Sequence, residues 1–383
     1  MSAGGSESAG ASPWRHGPFR LSLVATAVAL CGYALLLPVV PLWAVNQGAG
    51  TFAAGAATGV FMASTVVTQL GTGVFVRRYG YRIAVLWGIA FLGVPTPLLI
   101  VWTSSPGILT ISLLRGIGFG LLTVCGSALI AELLPSSAVS CGSGIYGLAT
   151  GIPQLIGLPA GPWLAEHWGF VAVFVLSTAL PALAVLPAYL LPPAHPTTEP
   201  AGGGGLLTTA RVTWKPWLPM LAASTGLGAL TTFTPIVLLT PESSIALLLM
   251  PLATTLSRWA AGRIGARSAG RLLTPALALV GVGLAGYAGF AETGPMWLVV
   301  VSMVVFGIGF GAVQNESLVA MFRRTSAGKA SISWNVAFDA GQGVGAVAVG
   351  AVVAGSTYGV AFGLLAASSL ALLPVAMSAR RKG

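Results

Sequence analysis

FGIGFGAVQNESLVAMFRRTSAGKASISWNVAFDAGQ, residues 306–342, contains two apolar runs separated by a short basic patch. Two of the eight acidic residues of the chain, Glu316 and Asp339, lie inside these runs, and Asp339 is the only aspartate. The stretch opens with the pentad GIGFG at 307–311, which also occurs earlier at 116–120. Acids inside long apolar runs are typical of functional helices in a membrane.

The composition of the whole chain indicates that its solvent is lipid. Charged residues make up 7% and apolar residues 55% of the 383 residues, whereas an ordinary soluble domain has about 25% charged residues. The net charge of +10 does not indicate nucleic acid, because the basic residues are scattered singly, in twos and in threes between apolar segments. We therefore expect the lipid bilayer as a partner and no nucleic acid.

The chemistry-bearing residues do not indicate an enzyme. The three cysteines, Cys31, Cys125 and Cys141, form no CxxC pair and no metal-binding spacing, so we expect them to fill small apolar gaps. No set of nucleophile and base lies within the apolar segments. We expect no cofactor and no metal, with a proton gradient as the energy source.

The hydropathy pattern predicts an all-α membrane protein of twelve spans, since each span needs ~20 mostly apolar residues. A Pro/Gly-rich segment at 192–205 separates six spans from six. We predict a disordered cytoplasmic tail (1–18), a six-helix bundle (19–192), a cytoplasmic linker (193–215), a second six-helix bundle (216–378) and a basic cytoplasmic tail (379–383). The predicted spans are 19–43, 51–76, 83–102, 106–132, 142–163, 169–191, 216–238, 243–262, 272–290, 296–321, 330–354 and 357–378.

The basic residues predict one orientation of these spans. With the N-terminus inside, seventeen of the eighteen Lys and Arg residues fall on inward loops and tails, and the outward loops hold none. This is a strong positive-inside signal, which places both termini in the cytoplasm. The high content of Arg, Ala and Gly indicates a GC-rich bacterial genome, so we expect the bacterial cytoplasmic membrane.

The two halves of the chain are related by duplication. The two GIGFG pentads lie 191 residues apart and fall in spans four and ten, which occupy the same position in each half. The basic loop after span two likewise recurs after span eight as GRIGARSAGR, residues 262–271. Both halves begin on the same side, so we predict two six-helix units related by a parallel repeat.

These features resemble the major facilitator superfamily over essentially the whole chain after the N-terminal tail. The resemblance implies two pseudo-symmetric six-helix bundles around a central cavity, with spans three, six, nine and twelve as outer scaffolding. Arg77 stands where the family usually has an aspartate in its gating loop, and Glu132 supplies the acid at the end of span four. The loop after span two is similar to the family's glycine-basic signature at Gly73, Arg78, Gly80 and Arg82.

Spans four and five carry two further resemblances. Arg115 before the first pentad is similar to the family's arginine-plus-glycine motif, although the usual arginine lies one turn earlier, at Ser112. Gly157, Gly161 and Pro162 in span five resemble the core of a motif associated with antiporters. The chain is most similar to the bacterial drug-efflux branch, which implies a proton antiporter. We expect it to act as a monomer on a small-molecule substrate.

The charges inside the spans are the candidates for coupling. Glu316 lies ~10 Å and Asp339 ~15 Å from the cytoplasmic ends of neighbouring spans. Two acids at similar depth could share a proton, so both are proton-coupling candidates; alternatively, they are neutral and hydrogen-bonded to nearby amides or to the loop arginines. Arg115 could stabilise a carboxylate, pair with an anionic substrate, or bind carbonyl groups left by the nearby glycines.

Polar residues inside the spans are the candidates for the substrate cavity. Asn335, Asp339 and Gln342 are spaced four and three apart and form a polar stripe on one helix face. This stripe is either a cavity wall or a hydrogen-bonding contact between helices. The full set of cavity candidates is Tyr33, Gln154, Gln314, Asn315, Trp334, Asn335 and Gln342.

Together, these patterns predict a proton-coupled exporter of a small, partly hydrophobic compound that works by alternating access. The alternative is a proton-coupled importer of a sugar or small metabolite, whose site would usually contain more polar and charged residues. A receptor is not indicated, because the chain has no folded soluble domain with which to signal.

Overall fold

The computed structural model describes residues 13–196, 206–238, 241–268 and 271–379, and this part of the chain folds into helices without strands. A short 3-10 turn at Pro13–Arg15 precedes the first helix. The helices are α1 (Gly17–Asn46), α2 (Gly50–Gly93), α3 (Leu98–Val101), α4 (Ser105–Leu133), α5 (Ser136–Tyr189), α6 (Leu206–Val237), α7 (Glu242–Ser268), α8 (Leu273–Phe290), α9 (Met296–Phe322), α10 (Ala327–Val353), α11 (Tyr358–Ala371) and α12 (Leu373–Ser378).

Ten segments of the described chain are long and apolar enough to cross a membrane. One of them contains α2, which has 44 residues and would extend ~66 Å if straight, about twice the thickness of the hydrocarbon core. Gly80 has a non-helical backbone (φ 82°, ψ 165°) and divides α2 into two arms. Side chains on Gly116 and Gly118 of α4 would overlap Phe61 and Gly88, one from each arm. The chain therefore reverses direction at Gly80.

Helix α5 reverses in the same way. Gly169 (φ 83°, ψ 159°) interrupts its 54 residues. Gly157 in the first arm packs on Ala34 of α1, while Pro181 in the second arm packs on Gly32 of the same helix. The ten segments become twelve when the arms of α2 and α5 are counted separately, which agrees with the sequence pattern. The number of membrane crossings itself stays a prediction.

Each GIGFG pentad contains a triplet of glycines, at its first, third and fifth positions, and the two triplets pack in the same way in the two halves of the protein. In the first half, the outer two glycines of the triplet contact the first arm of α2 and the middle glycine contacts the second arm. In the second half, the outer glycines contact α7 and the middle glycine contacts α8. The duplication inferred from sequence is therefore confirmed in the packing. The two triplets are Gly116, Gly118 and Gly120, and Gly307, Gly309 and Gly311.

The boundaries of the predicted domains differ from those of the helices. The predicted disordered tail at 1–18 includes the turn at Pro13–Arg15 and the start of α1, and residues 1–12 lie outside the described part of the chain. The predicted linker at 193–215 includes residues 197–205, which also lie outside it, and the first ten residues of α6. Hydropathy marks the apolar middle of a helix, and these helices extend beyond it through polar residues. Residues 380–383 of the predicted basic tail are likewise outside the described part.

We call the end at which α1 begins the terminal end and the opposite end the far end. In the described residues, three side-chain hydrogen bonds join the first bundle (13–196) to the second (206–379). Two lie in the far half, between Thr58 and Thr232 (3.0 Å) and from Ser244 Oγ to the Pro159 carbonyl (3.0 Å). The third lies deeper and involves Asp339. The far end of the interface is therefore closed in this structure.

Candidate functional site

Asp339 lies at the interface between the bundles. It sits in the middle of α10 and is 3% exposed. Its Oδ2 accepts a hydrogen bond of 2.7 Å from Nε2 of Gln69, on the first arm of α2. The same Nε2 donates to Thr123 Oγ1 on α4 at 3.3 Å, and Gln69 Oε1 is buried without a partner among the described residues. The only aspartate of the chain thus connects the two bundles.

Sequence reasoning missed Gln69. It is uncharged, and it stands in a span that also contains several threonines. The available signal was a polar side chain inside a span, eight residues before Arg77, because an amide inside a span needs a hydrogen-bonding partner. The sequence alone did not indicate that this partner belongs to the other bundle.

Arg115 is buried without a counter-ion among the described residues. The residue is 3% exposed in α4, and its Nε has no hydrogen-bonding partner in the described chain. Its guanidinium lies 5.7 Å from the centre of the Phe61 ring. Tyr33 of α1 lies close enough to interact electrostatically with both Arg115 and Asp339. The structure therefore brings three of the candidates, Arg115, Tyr33 and Asp339, near one another.

An aromatic cluster surrounds this cation. The Tyr33 ring stacks on Phe119 with a centroid distance of 4.2 Å and on Phe61 at 5.6 Å. Beside the cluster, α1, α2 and α4 line a half-open cavity, mostly with apolar side chains, and its empty space of about 260 Å³ is partly open to solvent. Its polar lining consists of Tyr33, Thr58, Ser112 and Arg115.

A second cation-containing cluster lies in the other bundle. Arg258 Nη1 donates to Gln314 Oε1 at 3.1 Å, and its guanidinium lies 5.7 Å from the Trp334 ring. Trp334 Nε1 lies 3.2 Å from both the Gln314 carbonyl and Ser317 Oγ, and its ring stacks on Phe338 at 5.4 Å. Gln314 and Trp334, both cavity candidates, are therefore held together by hydrogen bonds.

Arg258 lies within the predicted span at 243–262, although the count of seventeen inward-facing basic residues assigned it to a cytoplasmic loop. Helix α7 continues to Ser268, so Arg258 lies inside the helix. Its partner is Gln314 of α9 rather than a loop residue.

The structure does not bring Glu316 to Asp339. The groups around Glu316 are the Arg323 guanidinium, the Leu272 backbone at the start of α8, and Asn315. Its Oε2 has no hydrogen-bonding partner in the described residues. Residues two apart on a helix point in nearly opposite directions, so Glu316 faces α8 while Gln314 faces Arg258. Similar depth in neighbouring spans did not make the two acids neighbours.

The remaining cavity candidates are spread over several surfaces. Gln342 is buried, with its backbone against Gly228 of α6 and its Nε2 unpartnered in the described chain. Asn315 also has an unpartnered Nδ2 there, while Gln154 and Asn335 are half-buried. The polar stripe of α10 therefore reaches the bundle interface through Asp339 and packs against α6 through Gln342.

The basic loop after the first arm of α2 docks on the end of α5. The Tyr81 N–H donates to the Ala194 carbonyl at 2.9 Å, and Gly80 at the preceding position has a positive φ. The Arg82 guanidinium lies 4.4 Å from the centre of the Tyr189 ring. These contacts fix the turn between the two arms of α2.

Glu132 binds this loop through a tyrosine. The Tyr81 hydroxyl hydrogen-bonds the carboxylate of Glu132 at the end of α4. Arg77 and Arg78 are exposed, Arg78 lies 5.5 Å from the Tyr79 ring, and Gly73 is half-buried on the preceding turn. The link from Glu132 to Tyr81 is thus a connection between this loop and α4 that the resemblance did not indicate.

The span-five motif is a packing surface. Side chains at Gly157 and Gly161 would overlap Ala34 and Leu35 of α1, and Pro162 is buried beside them. These residues let the first arm of α5 approach α1 closely. Within the described residues, no three His, Cys, Asp or Glu side chains are grouped so that they could hold a metal ion.

Comparison with known proteins identifies the family. The family model described as "Major Facilitator Superfamily" matches residues 22–346. An uncharacterized transporter of Buchnera aphidicola is 26% identical over 168 residues, covering 43% of this chain and 42% of the relative. A probable multidrug-efflux transporter of Mycobacterium tuberculosis is 31% identical over 132 residues, covering 33% and 28%. The matches thus span less than half of these curated relatives.

The fold matches solved transporters along nearly its whole length. A crystal structure of a POT family transporter in complex with a thioalcohol-conjugated peptide aligns with a TM-score of 0.77, covering 94% of this chain and 95% of that one. The sequence identity in this alignment is 13%. At this identity, the likeness shows the fold alone.

Proposed function

The chain belongs to the Major Facilitator Superfamily, and from this premise we propose that it exports a small, partly hydrophobic compound in exchange for protons. The family supports transport rather than catalysis. The two bundles would rock about the central site, so that it opens alternately to the two sides of the membrane. The structure has its far end closed.

The observation that carries this proposal is the hydrogen bond from Gln69 to Asp339 between the bundles. Asp339 is buried at an interface that must part during alternating access. The charge that the interface must bury depends on whether Asp339 carries a proton. Proton binding and the parting of the bundles are therefore thermodynamically linked, and this linkage is what a coupled transporter requires.

Two observations support an exporter of partly hydrophobic compounds. The cavity beside Tyr33 is lined mainly by apolar side chains, with few polar groups. One relative is named a probable multidrug-efflux transporter. A sugar would need more hydrogen-bonding groups than this cavity offers.

The charges support a cytoplasmic position for the terminal end. Among the described residues, Arg77, Arg78, Arg82, Arg211 and Lys215 lie near this end, whereas Glu242 and Glu292 lie at the far end. By the positive-inside rule, both termini would face the cytoplasm of a bacterial cell. One chain supplies both bundles and the whole interface, so the monomer would be the transporting unit.

The test is proton flux in everted membrane vesicles that are challenged with a panel of amphipathic compounds. The vesicles are energised to an acidic interior, and a substrate of the exporter should release part of the pH gradient. Asp339→Asn keeps the size and polarity of the side chain but cannot carry a charge. It should abolish the release while still allowing downhill exchange of the compound.

The exposed acid at the far end provides the control, because Glu166→Gln removes a carboxylate away from the interface. This variant should release the gradient as the unmodified protein does. If Asp339→Asn released it equally well, Asp339 would not be the coupling residue. If no compound released the gradient and an inward proton gradient drove uptake instead, the protein would be an importer.

A further inference from the structure

The guanidinium of Arg115 is a buried cation that nothing in the described chain neutralises. It makes no hydrogen bond or ion pair with any described residue, and its ring contact with Phe61 is 5.7 Å long. Asp339, the other charge near Tyr33, is already bound to Gln69. A charge in the hydrocarbon region costs several kcal/mol unless it is paired or reaches water. Arg115 therefore has no anionic partner in the described part of the chain.

The carbonyl groups of the neighbouring glycines do not supply this anion. Gly116, Gly118 and Gly120 follow Arg115 in α4, but Arg115 Nε donates no hydrogen bond to their carbonyl oxygens. The Gly116 carbonyl already accepts a hydrogen bond from Thr65 Oγ1 at 3.0 Å. The structural explanation left open by the sequence, in which Arg115 binds glycine carbonyls, therefore finds no support in the described contacts.

Arg115 instead lines a cavity with an apolar wall. The cavity holds about 260 Å³ of empty space between α1, α2 and α4. This space is partly open to solvent. The Tyr33 and Phe61 rings form one side, while aliphatic residues such as Leu37 form another. A small ligand with one anionic group and an apolar, preferably aromatic, body would fit this lining.

We propose that this cavity binds small organic monocarboxylates, with the carboxylate on Arg115 and the apolar body against Tyr33 and Phe61. The planar guanidinium presents paired N–H donors that match the two oxygens of a carboxylate. The inference deepens the proposed transport function, on which it rests, by naming its substrate class. Thr58 lines the same cavity and bonds Thr232 across the interface, so the ligand lies beside the closed far end.

The test measures equilibrium binding to the purified full-length protein, with benzoate, benzamide and benzylamine as probes. The three share a ring and differ in charge. Benzoate should bind at least 10-fold more tightly than its neutral and cationic counterparts, and it should raise the melting temperature of the protein. Octanoate and octanamide repeat the comparison without an aromatic ring.

Two variants assign the effect to Arg115. Arg115→Met should weaken benzoate binding by about 10- to 100-fold, the usual value of a hydrogen bond to a charged group. Without ligand, it should melt no lower than the unmodified protein, because removing an unpaired buried charge relieves its desolvation cost. Arg115→Lys keeps the charge without the planar fork and should bind with intermediate affinity. Arg211→Met, at an exposed arginine, is the control.

The proposal is wrong if neither acid binds more tightly than its amide, or if Arg115→Met keeps the original affinity for benzoate. These outcomes are distinct from failure of the proposed function. Binding of benzoate without any proton-coupled flux would support the carboxylate site and contradict the proposed export function. Proton-coupled export of neutral compounds, with no binding of acids, would support the proposed export function and contradict the carboxylate site.

Discussion

Replacing Gly350 with alanine should open the far end of the transporter. Gly350 of α10 faces α2, where an added Cβ would lie 2.8 Å from the Thr51 carbonyl oxygen and 3.3 Å from the Phe52 Cα. Ordinary van der Waals contact begins at 3.4 Å, so the two helices would have to part by about 0.6 Å. Both of these contacts cross from one bundle to the other.

The cost of this contact falls on one conformation only. Overpacking by an extra carbon atom typically costs about 1–3 kcal/mol, and the clash exists only while the far end is closed. Alanine also stabilises a helix relative to glycine by up to about 1 kcal/mol, but this gain applies to α10 in both conformations. The ratio of open to closed far ends should therefore rise about 5- to 150-fold.

A buried cysteine at Thr232 measures this ratio. Thr232 is 0% exposed and bonds Thr58 across the closed interface. The three native cysteines are first replaced by serine, and a membrane-impermeant maleimide is then added outside intact cells. When opening is fast relative to labelling, the labelling rate follows the population of the open form. Gly350→Ala should therefore raise the rate by the same factor.

The matched control is Gly363→Ala in α11, where an added Cβ would meet nothing within 4 Å. This variant should label at the original rate. If Gly350→Ala also labelled at that rate, the contact between α2 and α10 would not seal the far end. If both variants labelled faster, the faster labelling would not be specific to the contact between α2 and α10.

Three further predictions follow from the same contacts. Gln69→Leu removes the hydrogen bond to Asp339. In everted vesicles, the loss of the pH gradient on addition of substrate should therefore be smaller than with the unmodified protein; an unchanged loss would contradict a coupling role for this bond. Glu316→Gln alters a carboxylate that faces α8 and should lower the melting temperature while proton release persists; loss of release would restore the hypothesis of paired acids. Gly161→Leu should reduce membrane yield by separating α5 from α1, whereas Gly147→Leu, which has open space, should not.

The sequence was sufficient for the fold because its signals are periodic and long. Apolar runs of span length, basic loops on alternate connections and a repeated pentad all depend on many residues. The reversal of α2 at Gly80 therefore falls between two predicted spans, and that of α5 at Gly169 falls on the first residue of the predicted span 169–191. The helix ends were less accurate, as the early start of α6 shows, since hydropathy responds to lipid rather than to backbone hydrogen bonding.

The candidate site was only partly accessible from sequence. Asp339 stood out because a lone acid in an apolar run has few structural explanations, and its burial at the interface agrees with that choice. Its hydrogen-bonding partner Gln69 did not stand out, because the bond between them depends on how the two bundles pack against each other. Depth could be estimated for Glu316, but the face of α9 on which it lies could not. Arg115 gained its significance from the structure, which shows that no described group neutralises it.

The glycine pentads also separate the parts of this protein that can evolve from those that cannot. At 116–120, a side chain added to a glycine would clash with backbone atoms of α2. Because these atoms belong to the backbone, a second mutation that shortens a side chain of α2 would not relieve the clash. The cavity wall beside them consists of side-chain contacts, as between Tyr33 and Phe119. Single mutations there could change which compound is carried and leave the framework intact. A lineage with this architecture could acquire new specificities in small, individually viable steps.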